Sequence, residues 1–325
     1  MGFCTIASQI IFMKTHTLLL LLGIACCASA KSQQNMISFS SENNTDGSVS
    51  IIGDCRGNAE YTVRIFFSIL NGYQSSLGAE GTTTVYKGRR EIARLTRDKS
   101  ASYFQYQYKC QYFTGRGMRK IPDTSFTYLL PVTEGRSLTI SGVQNIAEKI
   151  GQTPTEQLIS TGFQYHLGDT ICAARAGKVY EIFDGVKEGE KGTEFYKKER
   201  NKINILQKDG TLAYYSILAP VQLLVADGDD VIPGQPIALF NKESEKYTVL
   251  LSVNYLDQKK LVADRDPSPF DPNRVSHYTF LPLMFYRGTE QKSGYLQKGM
   301  TYHAIHPKEM IATELSKKEK KKFGL

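Results

Sequence analysis

Residues 103–113 read YFQYQYKCQYF, with rings and polar side chains in alternation. A period of two sends successive side chains to opposite faces of an extended strand, one face buried and one wet. A helix would scatter the same rings around its axis. Similar runs recur at 48–53 (SVSIIG), 60–70 (EYTVRIFFSIL), 82–88 (TTTVYKG) and 126–132 (FTYLLPV), punctuated by Gly, Asn, Asp and Pro. Short strands at this spacing predict a β-sandwich of immunoglobulin-like kind over 49–132. Tyrosine tips in water account for the rings of 103–113; stacking on sugar is their functional alternative.

Residues 31–48 are rich in Ser and Asn and predict a disordered lead-in. Residues 133–160, with Gly135, Gly142, Gly151 and Pro154 and no sustained period, predict a linker or loop. Strand-like runs return from 161: KVYEIFDG, NKINILQKDG, TLAYYSILA, VQLLV, QPIALFN and KYTVLLSVNYL. A charged excursion follows Val186, and a proline-containing loop follows Leu256. TFLPLMFYRG and GMTYHAIH are expected to close a second domain, 161–310, as a pair of strands. A basic tail, 311–325, is expected to end in a short helix. Helix is scarce, so the chain reads as all-β. Its 325 residues suffice for two ordinary domains.

The first thirty residues stand apart. Lys14 precedes LLLLLGIACC, and Ala28-Ser29-Ala30 follows. A basic start, a short apolar run and an A-x-A site predict a signal peptide cleaved near Ala30, and hence a secreted or periplasmic protein. Acylation at Cys26 is the lipoprotein alternative. No second long apolar run follows, so no transmembrane segment is expected after signal removal. Export permits disulfides. Of the cysteines outside this leader, Cys55 and Cys110 share the N-terminal β part and are expected to pair, leaving Cys172 as a small core residue. Three buried thiols is the alternative. The formal charge is +8, concentrated in the last residues, LSKKEKKKFGL. Such a run is a solvated end or an attraction to an anionic envelope surface; nucleic acid is not an expected partner.

Four pieces between 162 and 256 occur in a telling order: GDTICAARAGKVYEI, NKINILQKDGTLAYYSIL, VADGDDVIPGQPIALF and KYTVLLSVNYL. Together they resemble the core of the lysostaphin-type, or LytM-like, zinc metallopeptidases, which cut peptide cross-links in bacterial peptidoglycan. The resemblance implies a LytM-like sheet of the barrel-sandwich hybrid kind, a duplicated hybrid motif. The GD-x-V-x-x-GQ piece is shared with biotinyl and lipoyl domains, whose acceptor Lys is missing here. The resemblance also implies a zinc ion on His and carboxylate ligands with an open water position. Carried over residue by residue, the ligand positions are degenerate. Gly162 stands where the family has Asp, Ile217 where the Y-x-H-L motif has His, and Thr248 and Leu250 where the H-x-H strand has its two His. Residues 167–276 contain no His.

Other chemistry is thin. His166, Tyr215 and Asp209 are candidate groove or turn residues. His303 and His306, three apart on a strand, would point to opposite faces. Asp227, Asp229 and Asp230 could bind calcium or form a solvated turn. The resulting expectation is a pseudo-metallopeptidase with no catalytic or metal-binding residues and no cofactor, exported to bind peptidoglycan or regulate a cell-wall hydrolase, as degenerate members of the family do. An active zinc endopeptidase and a structural envelope component are the alternatives.

Overall fold

The computed structural model describes residues 36–145, 159–185, 201–264, 277–288 and 293–325, with no account of side chains at 143–145. Strands dominate, as the alternation requires, and the chain is all-β with three short helices among the described residues. It divides into two compact units, one built from residues up to Arg56 with Thr62–Phe113, the other from Gly57–Tyr61 with Thr114–Leu325.

The first unit holds seven strands: β1 (Ile37–Asn43), β2 (Val49–Cys55), β3 (Tyr61–Asn71), β4 (Tyr73–Ser75), β5 (Glu80–Val85), β6 (Gly88–Arg97) and β7 (Gln105–Thr114). They form two sheets, ordered β1-β2-β6-β4 and β5-β3-β7. The chain therefore changes sheet at every step from β2 to β7. Ile37, Val49, Ile51, Val63, Ile65 and Leu95 are all buried, and the Tyr106 hydroxyl of β7 donates to Ser41 Oγ of β1 at 3.1 Å. The lead-in expectation is corrected here. Within 31–48, Ile37–Asn43 is a strand paired along its length with β2. Ile37 and Phe39 supply an apolar face that the surrounding serines obscured.

The second unit contains β8 (Thr127–Tyr128), β9 (Ser137–Asn145), β10 (Ile159–Gln164), β11 (Thr170–Cys172), β12 (Gly177–Phe183), β13 (Asn201–Gln207), β14 (Leu212–Ile217) and β15 (Gln222–Leu223). It continues with β16 (Asp230–Val231), β17 (Pro236–Leu239), β18 (Thr248–Leu256), α1 (Gln258–Ala263), β19 (Tyr278–Phe280), β20 (Met284–Tyr286), β21 (Ser293–Gly294), β22 (Thr301–His303), α2 (Lys308–Ala312) and α3 (Lys317–Phe323). A nine-stranded sheet runs β16-β12-β13-β14-β18-β10-β9-β22, with β19 also on β18. Two three-stranded sheets, β11-β17-β15 and β21-β20-β8, supply Ile171, Ala238 and Phe285 to the core under it, where they join Phe163, Tyr215, Val249 and Leu251. Phe163 and Phe285 meet edge to face at 5.7 Å. Gly177 is required where β12 meets β13, because a Cβ there would sit 2.5 Å from the Leu206 carbonyl oxygen.

Several expectations shift. The boundary falls at Phe113–Thr114 rather than at 132, since Tyr128, Leu130 and Val132 belong to the second core. Residues 133–160 are not all linker: β9 is a full member of the nine-stranded sheet, paired with β10 and β22. Its Leu138 and Ile140 face the core, a short alternation masked by Gly135 and Gly142. After Leu256 the expected loop contains α1, whose N-cap Asp257 accepts from the amides of Lys259 and Lys260. The two closing segments do not pair with each other: β20 lies between β8 and β21, and β22 lies on β9. The basic tail is ordered. Ser316 and Glu319 form a capping box on α3, and Lys208 holds Glu319 at 2.6 Å. The expected signal peptide at 1–30 and the charged excursion at 186–200 lie outside the described residues. No helix among them is long and apolar enough to cross a membrane.

Candidate functional site

The middle of the large sheet is built from β10, β14 and β18, and the pleat gives each strand two opposed rows of side chains. One row is core: Phe163 on β10, Ala213, Tyr215 and Ile217 on β14, and Val249, Leu251 and Val253 on β18. The other row carries Ser160, Gly162 and Gln164, then Leu212, Tyr214 and Ser216, then Thr248, Leu250, Ser252 and Asn254. This second face is the one onto which Gly162, Thr248 and Leu250 project.

Register places these positions against one another. Gly162 is directly opposite Leu250, and Leu250 is directly opposite Ser216. Directly opposed residues share a face, so Gly162, Leu250 and Ser216 form one row across three strands. Lys202 of β13 extends it. Thr248 lies one row on, opposite Gln164. Ile217 is the exception. It pairs with Val249, is fully buried and belongs to the core. Of the four degenerate positions, three therefore converge, and the residue completing their row is Ser216. The space at Gly162 is already taken: a Cβ there would lie 3.2 Å from Leu250 Cδ2 and closer still to Ser141 Oγ.

A polar row runs beside this one. Ser252 opposes Tyr214, Tyr214 opposes Asn204, and Asn204 opposes Glu181. Asn204 Nδ2 donates to Glu181 Oε2 at 2.7 Å. Burial pushes the Tyr214 phenol above its ordinary value, while hydrogen bonds from Tyr180 and Asn254 pull it back in part. The Oδ1 atoms of Asn204 and Asn254 and the Ser160 Oγ are buried acceptors with no hydrogen-bond partner, the kind of group whose desolvation is costly unless something donates to it.

This face does not fit a zinc ion. A catalytic zinc takes about three His nitrogens or carboxylate oxygens at roughly 2.0–2.2 Å; the converging positions offer a glycine, a leucine and two hydroxyls. Nor do the histidines gather. His166 is exposed, its ring 3.5 Å from Asp169. His277 Nε2 lies 2.6 Å from Asp264, His303 Nδ1 lies 3.2 Å from Ser137 Oγ, and His306 is buried with Nε2 facing the Leu130 carbonyl. Among the described residues no three His, Cys, Asp or Glu side chains gather where they could hold a metal. In the ADGDDV turn the carboxylates serve the fold: Asp229 accepts from the Ala226 amide and Asp230 pairs with Lys178.

The remaining candidates are structural. The Tyr215 hydroxyl accepts from the Ala174 amide at 2.8 Å, tying the core of β14 to the ICAARAG turn, so it lines no groove. Asp209 closes the β13–β14 turn by accepting from Thr211. Cys55 and Cys110 are buried on β2 and β7, in different sheets of the first unit.

Arg175 was not singled out by its sequence context, yet its charge is met from several sides in the second unit. It is 4% exposed. Its Nη1 donates to Asp209 Oδ2 at 2.9 Å, and its Nε and Nη2 grip both oxygens of Glu314 at 2.8 and 2.5 Å. The guanidinium stacks 3.6 Å from the centre of the Phe126 ring. Burial opposes its charge, but the Glu314 hydrogen bonds and the neighbouring Tyr128, Asp209 and Glu314 outweigh burial and hold it above its ordinary value. The signal that could have found it is an arginine inside an otherwise small and apolar turn, ICAARAG, where a charge must be paired. No family model matches the chain, and no curated protein or solved structure does.

Proposed function

We propose that this protein is an exported, non-catalytic relative of the LytM-like metallopeptidases whose role at the bacterial cell wall is to bind peptidoglycan or to regulate a hydrolase acting on it. The observation that carries the reading is the Gly162–Leu250 contact. Where the resemblance implies an acidic ligand, the strand has a glycine whose added Cβ would fall 3.2 Å from Leu250 Cδ2 and closer to Ser141 Oγ, so a carboxylate there has to push both side chains aside. The neighbouring row of Ser252, Tyr214, Asn204 and Glu181 gives the same face hydrogen-bonding groups. Such a face suits recognition of amide and hydroxyl groups, which peptidoglycan carries in both its peptides and its glycan. The test is co-sedimentation of the mature protein with purified peptidoglycan. Retention that survives moderate salt supports the reading; a protein left wholly in the supernatant removes peptidoglycan as the ligand.

A further inference from the structure

Arg175 is held in place by more than its partner from the C-terminal segment. Asp209 fixes Nη1, Phe126 stacks under the guanidinium, and Tyr128 and Gln207 each lie 3.4 Å from Nη1. All four belong to the body of the second unit. The other edge of the fork, Nε and Nη2, is taken entirely by Glu314, in the two-point geometry that arginine offers a carboxylate.

The segment that delivers Glu314 is lightly attached. Neither α2 nor α3 contains a buried residue, and Leu315, at 6% exposed, is the apolar anchor between them. Met310, Ile311 and Ala312 beside it are only half-buried, and polar ties run from Lys208 Nζ to the Glu314 carbonyl and the Glu319 carboxylate. A segment with little apolar burial opens at lower cost than the sheet beneath it. Beside it lies a cleft of about 360 Å³ lined by Phe126, Thr127, Tyr286, Ser293, Met310 and Thr313. Phe126 is both a wall of this cleft and the ring under Arg175, and Thr313 is the residue before Glu314, so the cleft abuts the fork.

We propose that Arg175 and this cleft form a binding site for a peptide's terminal carboxylate, and that Glu314 occupies it from within as a displaceable stand-in. The exchange is charge-neutral: one carboxylate leaves the fork as another enters, so Arg175 is never left buried and unpaired. The cleft, walled by Phe126, Tyr286 and Met310, would take the small apolar side chains next to that carboxylate. This inference does not depend on the proposed function, since the fork would select any short peptide with a free C-terminus.

The probe is N-acetyl-alanyl-alanine as the free acid, with its C-terminal amide as control, titrated into the full chain and followed by NMR or calorimetry. Self-occupancy lowers apparent affinity in proportion to the open fraction, so Glu314→Gln should bind the acid about tenfold or more tightly than the wild type. The amide should not bind. Arg175→Lys, which keeps the charge and loses the fork, should abolish the difference between acid and amide. Should Glu314→Gln fail to fold, Glu319→Gln loosens the segment while leaving the fork intact and should strengthen acid binding in the same direction. Equal binding of acid and amide, or no gain in either variant, would overturn the site.

Discussion

Gly162 and Leu250 stand directly opposite each other on β10 and β18, so close that any side chain at 162 must displace the Ser141 hydroxyl and press on Leu250. A face from which metal ligands would project is here a packed contact. Gly162→Asp should therefore destabilise the second unit by about 1–3 kcal/mol through overpacking and an unpaired buried carboxylate. Urea unfolding measures it. Adding Leu250→Ala should recover part of the loss by opening room beside Asp. A Gly162→Asp variant as stable as the wild type would mean that the contact is not tight.

Rebuilding a metal site separates register from resemblance. Gly162→Asp, Ser216→His and Leu250→His put three ligands in one row on one face. With Ile217→His in place of Ser216→His, one imidazole points into the core instead. Metal that binds only the folded state raises its stability. The melting temperature of the first triple should thus rise on adding zinc, while that of the second stays unchanged. A zinc response from the second triple alone would place Ile217, not Ser216, on the outer face.

Much of this architecture is legible in the residues. The two-residue period of YFQYQYKCQYF and its neighbours dictates strands, and Gly/Asp turns separate them. What escapes is set by long-range pairing. β1 and β9 show only two apolar residues each on their buried face among the described side chains, and they become strands because β2 and β10 offer them partners. At the candidate site, Gly162 and Leu250 are opposed across β10 and β18, but one residue of slip between Ser216 and Ile217 reverses the face of the side chain. Local sequence does not fix that register; the pairing of β14 with β18 does. Arg175 escapes for a related reason, since its partner Glu314 lies far along the chain.

The cysteines give a third test. Cys55 and Cys110 lie in different sheets of one unit, and in exported protein we expect them to be joined. The enclosed loop of roughly 55 residues corresponds to about 4 kcal/mol of loop-entropy stabilisation before strain is counted. Peptide mapping without reductant should recover the cross-linked pair; unmodified thiols at both positions after oxidative folding would refute it. Burial raises the Cys172 thiol to about 11, with a smaller opposing effect from Thr133. It should stay unreactive towards a thiol reagent until the protein unfolds.

Acid should weaken the second unit through His306. Burial lowers its pKa below the ordinary 6.5, against the smaller raising effects of the Leu130 carbonyl and Glu134. The folded state thus favours neutral imidazole, and the unfolded chain binds the proton more readily. The stabilisation is complete above the unfolded value and is lost as pH falls through 6.5 towards the lower folded value. His306→Gln, which keeps a donor for the Leu130 carbonyl, should flatten the stability difference between about pH 7.5 and pH 5.5. An unchanged pH slope would assign the acid sensitivity to other groups.

The most direct test of the central claim is the muropeptide profile of purified peptidoglycan after prolonged incubation with the mature protein and added zinc. A non-catalytic binding protein leaves every cross-link intact, with a profile indistinguishable from that of the untreated sacculus. Release of cross-bridge peptides that stops when zinc is chelated would contradict the account and establish an active endopeptidase.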